Sequence, residues 1–154
     1  MSNTRYLIIG GGMTGAAAAN GIREVDPDGF ITIISSDDAP PYNRPPLSKK
    51  LWWGKTAVDD IFVKLPENVD LVLGREVVLL DADDRRVTDS EGQVYAYDKL
   101  LLATGGTPRH LSFGGDATNH YRTLDSYKAL RADADHGAKF VVIGGGFIGS
   151  ELAA

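Results

Sequence analysis

The sequence contains no cysteine. A chain without thiols builds no disulfide framework, no thiolate metal site and no redox-active dithiol. Histidine is scarce as well: His110, His120 and His136 are scattered and offer no metal-ligand spacing. Positive charge is in deficit, with 16 basic against 21 acidic side chains and a net charge of -5. That balance, with a pI near 5.1, argues against a nucleic-acid partner. The imbalance is spread along the chain, as suits solubility. No apolar run approaches the roughly 20 residues of a membrane span. A strand pattern begins by Tyr6, so no signal or transit peptide is expected and the cytoplasm is the expected compartment.

What remains is 154 residues, 43% hydrophobic and 24% charged, an ordinary globular composition. Arg5 to Ile9 is a short apolar run followed at once by glycines, the pattern of a buried parallel strand. Met13 to Val25 predicts a helix whose alanines give it a thin face, stopped by Asp26-Pro27-Asp28-Gly29. Phe30 to Ile34 predicts the second strand of a βαβ unit of about 30 residues. Pro45 and Pro46 suit the first turn of a short helix running to Trp53. Val69 to Leu73 predicts a further strand, and Glu76 to Asp98 a small antiparallel meander turning at Asp89-Ser90-Glu91-Gly92. The meander is expected on one face of a parallel α/β sheet. Lys99 to Thr104 predicts a buried strand, Leu124 to Arg131 a helix, and Lys139 to Ile143 a last strand.

One pattern occurs twice. Gly10, Gly12 and Gly15 form G-x-G-x-x-G between a strand and a helix, and Gly144, Gly146 and Gly149 repeat it. In such a loop the first glycine permits the tight turn, the second lets backbone approach a pyrophosphate, and the third lets the helix pack on the strand. The helix N-terminus then presents unpaired N–H groups to the phosphates. Two copies at domain-scale separation point to two dinucleotides, the arrangement of a flavin enzyme using NADH or NADPH. An acidic residue for the adenosine ribose belongs about 20 residues beyond the glycines, where this chain reads Ser35-Ser36-Asp37-Asp38. The second copy has only Ser150 to Ala154 after its last glycine and is expected to continue in a longer chain.

Pro41-Tyr42-Asn43-Arg44-Pro45-Pro46-Leu47-Ser48-Lys49-Lys50-Leu51-Trp52 closely resembles the apoptosis-inducing-factor-like flavoproteins, relatives of the ferredoxin and rubredoxin reductases. Leu101 to Arg109 resembles their second flavin segment, and Phe140 to Ala154 the start of their NAD(P)H domain. The resemblance implies the first part of a Rossmann-like FAD-binding domain over 1–115, with a parallel sheet and a meander. It implies the start of a second Rossmann-like, NAD(P)H-binding domain over 116–154. It places Gly10, Gly11, Gly12, Met13, Thr14 and Gly15 on the FAD pyrophosphate and Ser36 with Asp37 at the ribose. The family usually carries glutamate where this chain has Ser36, and a serine supplies one such bond at a time.

The resemblance further puts Arg44 on the phosphates, Lys49 beside the flavin ring, and the Val77 backbone at the adenine. Ala103, Thr104, Gly105 and Arg109 follow as the second flavin segment. Gly144, Gly146, Phe147, Ile148 and Gly149 would meet NAD(P)H. Lys49 and Glu151 are the expected catalytic pair, joined as an ion pair within ~4 Å. The activity implied is hydride transfer from NAD(P)H to FAD, and then electrons onward to a small molecule or an iron-sulfur protein. A ferredoxin or rubredoxin reductase of an oxygenase system is the alternative within enzymes. A flavin-binding fragment or interaction protein without turnover is the alternative outside them. A homodimer is compatible with the sequence, and no metal is implied. Without cysteine, disulfide-reductase chemistry is not expected.

Overall fold

The computed structural model describes residues 4–115 and 118–154. Among the described residues seven strands and three α-helices follow one another: β1 Arg5–Ile9, α1 Met13–Val25, β2 Phe30–Ile34, β3 Val69–Val72, β4 Val77–Asp81, β5 Arg86–Asp89, β6 Val94–Ala96, β7 Lys99–Leu102, α2 Leu124–Asp135 and α3 Phe147–Ala153. The chain divides into two compact units. One comprises Met1–Tyr42 and Phe62–Gly105, and the other comprises Asn43–Ile61 and Gly106–Ala154. The expected domain boundary after residue 115 meets residues 116 and 117, which lie outside the described residues.

The first unit is built on a sheet in the order β3-β2-β1-β7, all parallel neighbours. On one face Ile8, Ile31 and Ile33 pack with Ala19 of α1, all at or below 2% exposure. Burying an isoleucine of this kind contributes about 2 kcal/mol. Gly15, Ala16 and Ala19 form the buried stripe of α1, so small side chains let the helix lie close to the strands. The helix stops where Pro27 follows, and Arg23 fixes the exit. Its guanidinium donates to the carbonyls of Asp26, Pro27 and Gly29 at 3.3, 2.6 and 2.9 Å, and to Asn68 at 3.1 Å.

On the other face Leu7, Ile9 and Ile34 pack against Val87 and Tyr97 from the meander. Strands β4, β5 and β6 form the antiparallel sheet expected over Glu76 to Asp98. Its turn is organised by Asp89, which is 1% exposed. The Asp89 carboxylate accepts from the Glu91 and Gln93 N–H groups, each at 2.9 Å, and from the Tyr95 hydroxyl at 3.0 Å. Burial alone would push this carboxyl up. The three donors and the Arg75 guanidinium outweigh burial and hold it below the usual carboxylate range. At the base of the unit Arg5 grips Asp98 with two side-chain nitrogens and its backbone N–H.

Three expectations need correction. Lys99 to Thr104 is not a buried strand: β7 ends at Leu102, and Leu101 and Leu102 are 37% and 58% exposed. Among the described residues β7 has a strand partner on one side only, so its outer backbone and side chains face solvent. Lys139 to Ile143 forms no strand, and Val141 is 89% exposed. Apolar, β-branched residues do not make a strand without a neighbour to complete the hydrogen-bond ladder.

The third correction concerns Pro45 to Trp53. It is a 3₁₀ turn over Pro45–Ser48 followed by irregular turns, broken at Lys49 with φ -118° and ψ -110°. Proline cannot donate. The Pro46 and Lys49 carbonyls accept from N–H groups within the segment, and three further carbonyls find side-chain partners outside it, all within the second unit. Tyr121 donates to Leu47 O at 2.6 Å, Tyr127 to Leu51 O at 3.4 Å, and Arg131 to Trp52 O at 3.2 Å. The Trp52 ring meets Tyr121 and Tyr127 edge-on, at centroid distances of 6.5 and 6.4 Å. Burial pushes the Tyr121 hydroxyl well above its usual range, which keeps it a donor. Helix α2 outruns its expected end by four residues, to Asp135. Thr123 and Ser126 form a reciprocal cap at its start, and an Arg131–Asp135 pair at 2.5 Å bridges its last turn.

Candidate functional site

The first glycine loop opens directly from β1. Gly10 has φ 118°, a conformation L side chains rarely adopt, and its N–H donates to Ile34 O at 2.8 Å. A Cβ at Gly10 would overlap the Ala103 carbonyl, and one at Gly15 would overlap the Gly10 carbonyl. The loop is therefore a backbone-only passage between the ends of β1, β2 and β7. Gly12 caps α1 with extended angles and no side-chain bond, and the first turn holds no acidic residue. The N–H groups at the start of this 13-residue helix are left for another acceptor. Crowding against backbone, a bare helix start and the strands' carboxyl ends fit a pyrophosphate.

Next to it, the loop after β2 is fastened at several points. Ser35 N donates to Val72 O at 2.8 Å, and the Ser35 side chain lies 2.6 Å from where a Gly11 Cβ would be. Asp37 N–H donates to Ser35 Oγ at 3.2 Å. Gly74 N and Arg75 N donate to Asp37 O and Ser35 O at 3.3 and 2.8 Å. The loop bearing Ser36 and Asp37 is thus tied to the segment that leads into Val77. The resemblance puts Ser36 and Asp37 at the ribose and the Val77 backbone at the adenine, and Gly74 and Arg75 join the two segments. The Asp37 carboxylate accepts from the Tyr42 hydroxyl at 2.9 Å and from Ala39 N–H at 3.2 Å. Ala103 N donates to Ile9 O at 2.8 Å, which sets Ala103, Thr104 and Gly105 at the end of β7, with Gly105 at φ 69°.

In the second unit, Lys49 Nζ lies 3.4 Å from Glu151 Oε1, the ion pair expected from the sequence. Ser48, 5% exposed, donates through its hydroxyl to Glu151 Oε2 at 2.6 Å. Glu151 is therefore held at both oxygens. Arg44 opens the 3₁₀ turn and is partly buried, while Arg109 is exposed. Neither forms an ion pair among the described residues. The second glycine loop repeats the first locally. Gly144 has φ 116°, Gly146 caps α3 with extended angles, and a Cβ at Gly149 would overlap the Gly144 carbonyl. Phe147 and Ile148 begin α3 and are 90% and 47% exposed.

Sequence reasoning missed Tyr42 and Ser48. Both lie inside the stretch that carried the resemblance, but nothing in a sequence shows where a hydroxyl points. Asp89 reads in the sequence as an ordinary turn residue, yet its buried carboxylate accepts three hydrogen bonds.

The sequence profile of the pyridine nucleotide-disulphide oxidoreductases matches residues 4–154. The chain belongs to this family. Among its curated relatives, putidaredoxin reductase of Pseudomonas putida is 34% identical over 164 residues, covering 99% of this chain and 39% of that protein. Mitochondrial apoptosis-inducing factor 1 of Dictyostelium discoideum is 35% identical over 175 residues, covering 96% of this chain and 32% of that protein. A crystal structure of the covalent putidaredoxin reductase–putidaredoxin complex superposes with a TM-score of 0.89 at 33% identity, over 99% of this chain and 39% of that one. The chain thus spans less than half the length of the proteins it matches. These relatives bear out the resemblance to apoptosis-inducing-factor-like and ferredoxin-reductase-like proteins, and with it the α/β fold. The family name includes disulfide chemistry, yet these 154 residues contain no cysteine to perform it. No described helix is long and apolar enough to cross a membrane.

Proposed function

We propose that this chain is part of an FAD-dependent NAD(P)H oxidoreductase, with FAD at Gly10–Gly15 and the start of the NAD(P)H site at Gly144–Gly149. The observation that carries the reading is the repetition of one glycine-loop backbone at both places, with φ 118° and 116° at the first glycines. The bare start of α1 receives the pyrophosphate. Ser36 and Asp37 accept the ribose hydroxyls, and the Val77 backbone meets the adenine. Ala103, Thr104 and Gly105, at the end of β7, would meet the flavin. Bound flavin supplies an acceptor for hydride from the nicotinamide and a donor of electrons to the final acceptor.

Lys49 is the residue we assign to charge stabilisation. A lysine ammonium on a flexible stem needs a partner to hold it. Glu151, fixed by Ser48, is that partner. A held cation favours the negative charge that reduction brings. The test is the visible spectrum of the purified full-length gene product. A flavin band that NADH or NADPH bleaches anaerobically is the expected result. A colourless protein overturns the reading in favour of a non-catalytic interaction protein.

A second reading narrows the acceptor to an iron-sulfur protein. It is favoured by the likeness to a reductase whose solved structure is a complex with putidaredoxin. Reoxidation of the reduced protein by an added iron-sulfur protein should then outpace reoxidation by dioxygen.

A further inference from the structure

We propose that Tyr42 is the positioning residue for Asp37, so that recognition of an adenosine ribose depends on this tyrosine hydroxyl. The inference rests on the reading of Asp37 as a ribose acceptor and adds a residue which that reading does not contain.

The Tyr42 hydroxyl donates to Asp37 Oδ2 at 2.9 Å, and Ala39 N–H donates to Oδ1 at 3.2 Å. A carboxylate offers about four lone-pair sites. One on each oxygen is used, and about two remain, which matches the two hydroxyls of a ribose. Those two bonds also fix the plane of the carboxylate, which in a free aspartate rotates about two side-chain torsions. Serine at position 36 supplies one such bond at a time, and the ordered Asp37 carboxylate beside it offers two.

Tyr42 is itself a fixed point. It is 4% exposed, its backbone bridges antiparallel to Phe62, and Val63 N donates to Pro41 O at 2.7 Å. The receiving loop is fixed as well, through Ser35 N on Val72 O and Gly74 N on Asp37 O. The bond therefore joins two anchored segments of one compact unit. A phenol suits the task because it is a neutral donor. It orients the carboxylate without neutralising it, as a lysine or arginine would, and leaves the full charge to accept from a diol.

The test compares ADP with 2′,3′-dideoxy-ADP as competitors for FAD on the full-length protein, for the wild type, Tyr42→Phe, Asp37→Asn and the double variant. Phenylalanine keeps the ring and its packing. The expected result is that Tyr42→Phe weakens ADP by about tenfold, the scale of one hydrogen bond to a charged group, and leaves the dideoxy analogue unchanged. Asp37→Asn should abolish the same preference, and adding Tyr42→Phe to it should cost nothing further. An unchanged ADP preference in Tyr42→Phe, with loss in Asp37→Asn, overturns the role of Tyr42 and spares the ribose reading. No loss in Asp37→Asn overturns the ribose reading and the inference together. Equal weakening of both nucleotides in Tyr42→Phe, or a matching drop in melting temperature, shows that the tyrosine acts through the fold and also overturns the proposal.

Discussion

Gly10 and Gly144 turn at φ 118° and 116°, and each is crowded by the glycine five residues on, whose Cβ would meet its carbonyl. The residue two before each turns inward too: Ile8 Cγ2 lies 3.4 Å from a Gly15 Cβ, and Val142 Cγ1 lies 3.2 Å from a Gly149 Cβ. What surrounds the loops differs. A Cβ at Gly10 would strike Ala103, whereas one at Gly144 has nothing within 4 Å. Strand β1 is paired on both sides, and Lys139 to Ile143 is paired on neither among the described residues. The same local sequence thus produces the same turn with and without a sheet around it. The turn is written in a few residues, and burial is supplied by partners distant in sequence.

That contrast can be broken most forcefully at the first glycines. Gly10→Ala adds backbone overlap to a left-handed φ and should destabilise the first unit by about 3 kcal/mol or more. Gly144→Ala carries only the conformational strain, about 1 kcal/mol, and should leave the first unit's denaturant midpoint in place. Equal losses in urea titrations would mean that the surroundings of Gly10 contribute nothing.

Flavin retention sharpens the comparison next. Gly12→Ala puts a methyl group where a phosphate oxygen is proposed to sit, and the purified variant should carry several-fold less FAD. Gly146→Ala should carry as much as the wild type. Unchanged flavin in Gly12→Ala would remove the first loop as the FAD site.

Acid separates the two regions by a different route. Hydrogen bonding by the Arg5 guanidinium and backbone N–H holds the Asp98 carboxyl well below its ordinary range, and Asp89 is also lowered. A carboxyl lowered in the folded state contributes stability that is complete above its unfolded pKa, about 3.9. That stability is lost as the pH falls through the folded value. The first unit should therefore lose stability steadily below about pH 4, and Asp98→Asn should flatten this acid limb in circular dichroism melts. A variant with the wild-type slope would show that the pair does not set acid stability.

The smallest effect is expected at Lys49 and Glu151. Lys49 is half exposed, so the 3.4 Å pair should contribute less than about 1 kcal/mol. Lys49→Ala should leave the melting temperature nearly unchanged while slowing flavin reduction by NADH. An unchanged reduction rate would remove the catalytic role even though the contact exists.

Most of the first unit was legible because its signals are local: apolar runs ending in glycine, an alanine-faced helix, and alternation over Glu76 to Asp98. The same signals misled at Leu101 and at Lys139 to Ile143, since a run of β-branched residues states a preference and not the presence of a neighbour. The Pro45 to Trp53 segment was misread for a related reason. Its Leu47, Leu51 and Trp52 carbonyls are answered by Tyr121, Tyr127 and Arg131, far along the chain. Of the candidate site, the glycines and the Lys49–Glu151 pair were legible through spacing and resemblance. Tyr42 and Ser48 were not, because what they do depends on the direction of one O–H bond.

The bare stretch from Phe140 to Ile143 has a consequence for colloidal behaviour. Four consecutive apolar residues, 44 to 89% exposed and without a charge among them, form a short adhesive tape with β-sheet preference. At neutral pH the net charge of -5 keeps neighbouring molecules apart. Near pH 5.1 that repulsion vanishes while the tape is unaltered. Preparations of these 154 residues should then cloud first at mildly acidic pH, by strand-to-strand association at this tape and before the folded sheet of the first unit has begun to open.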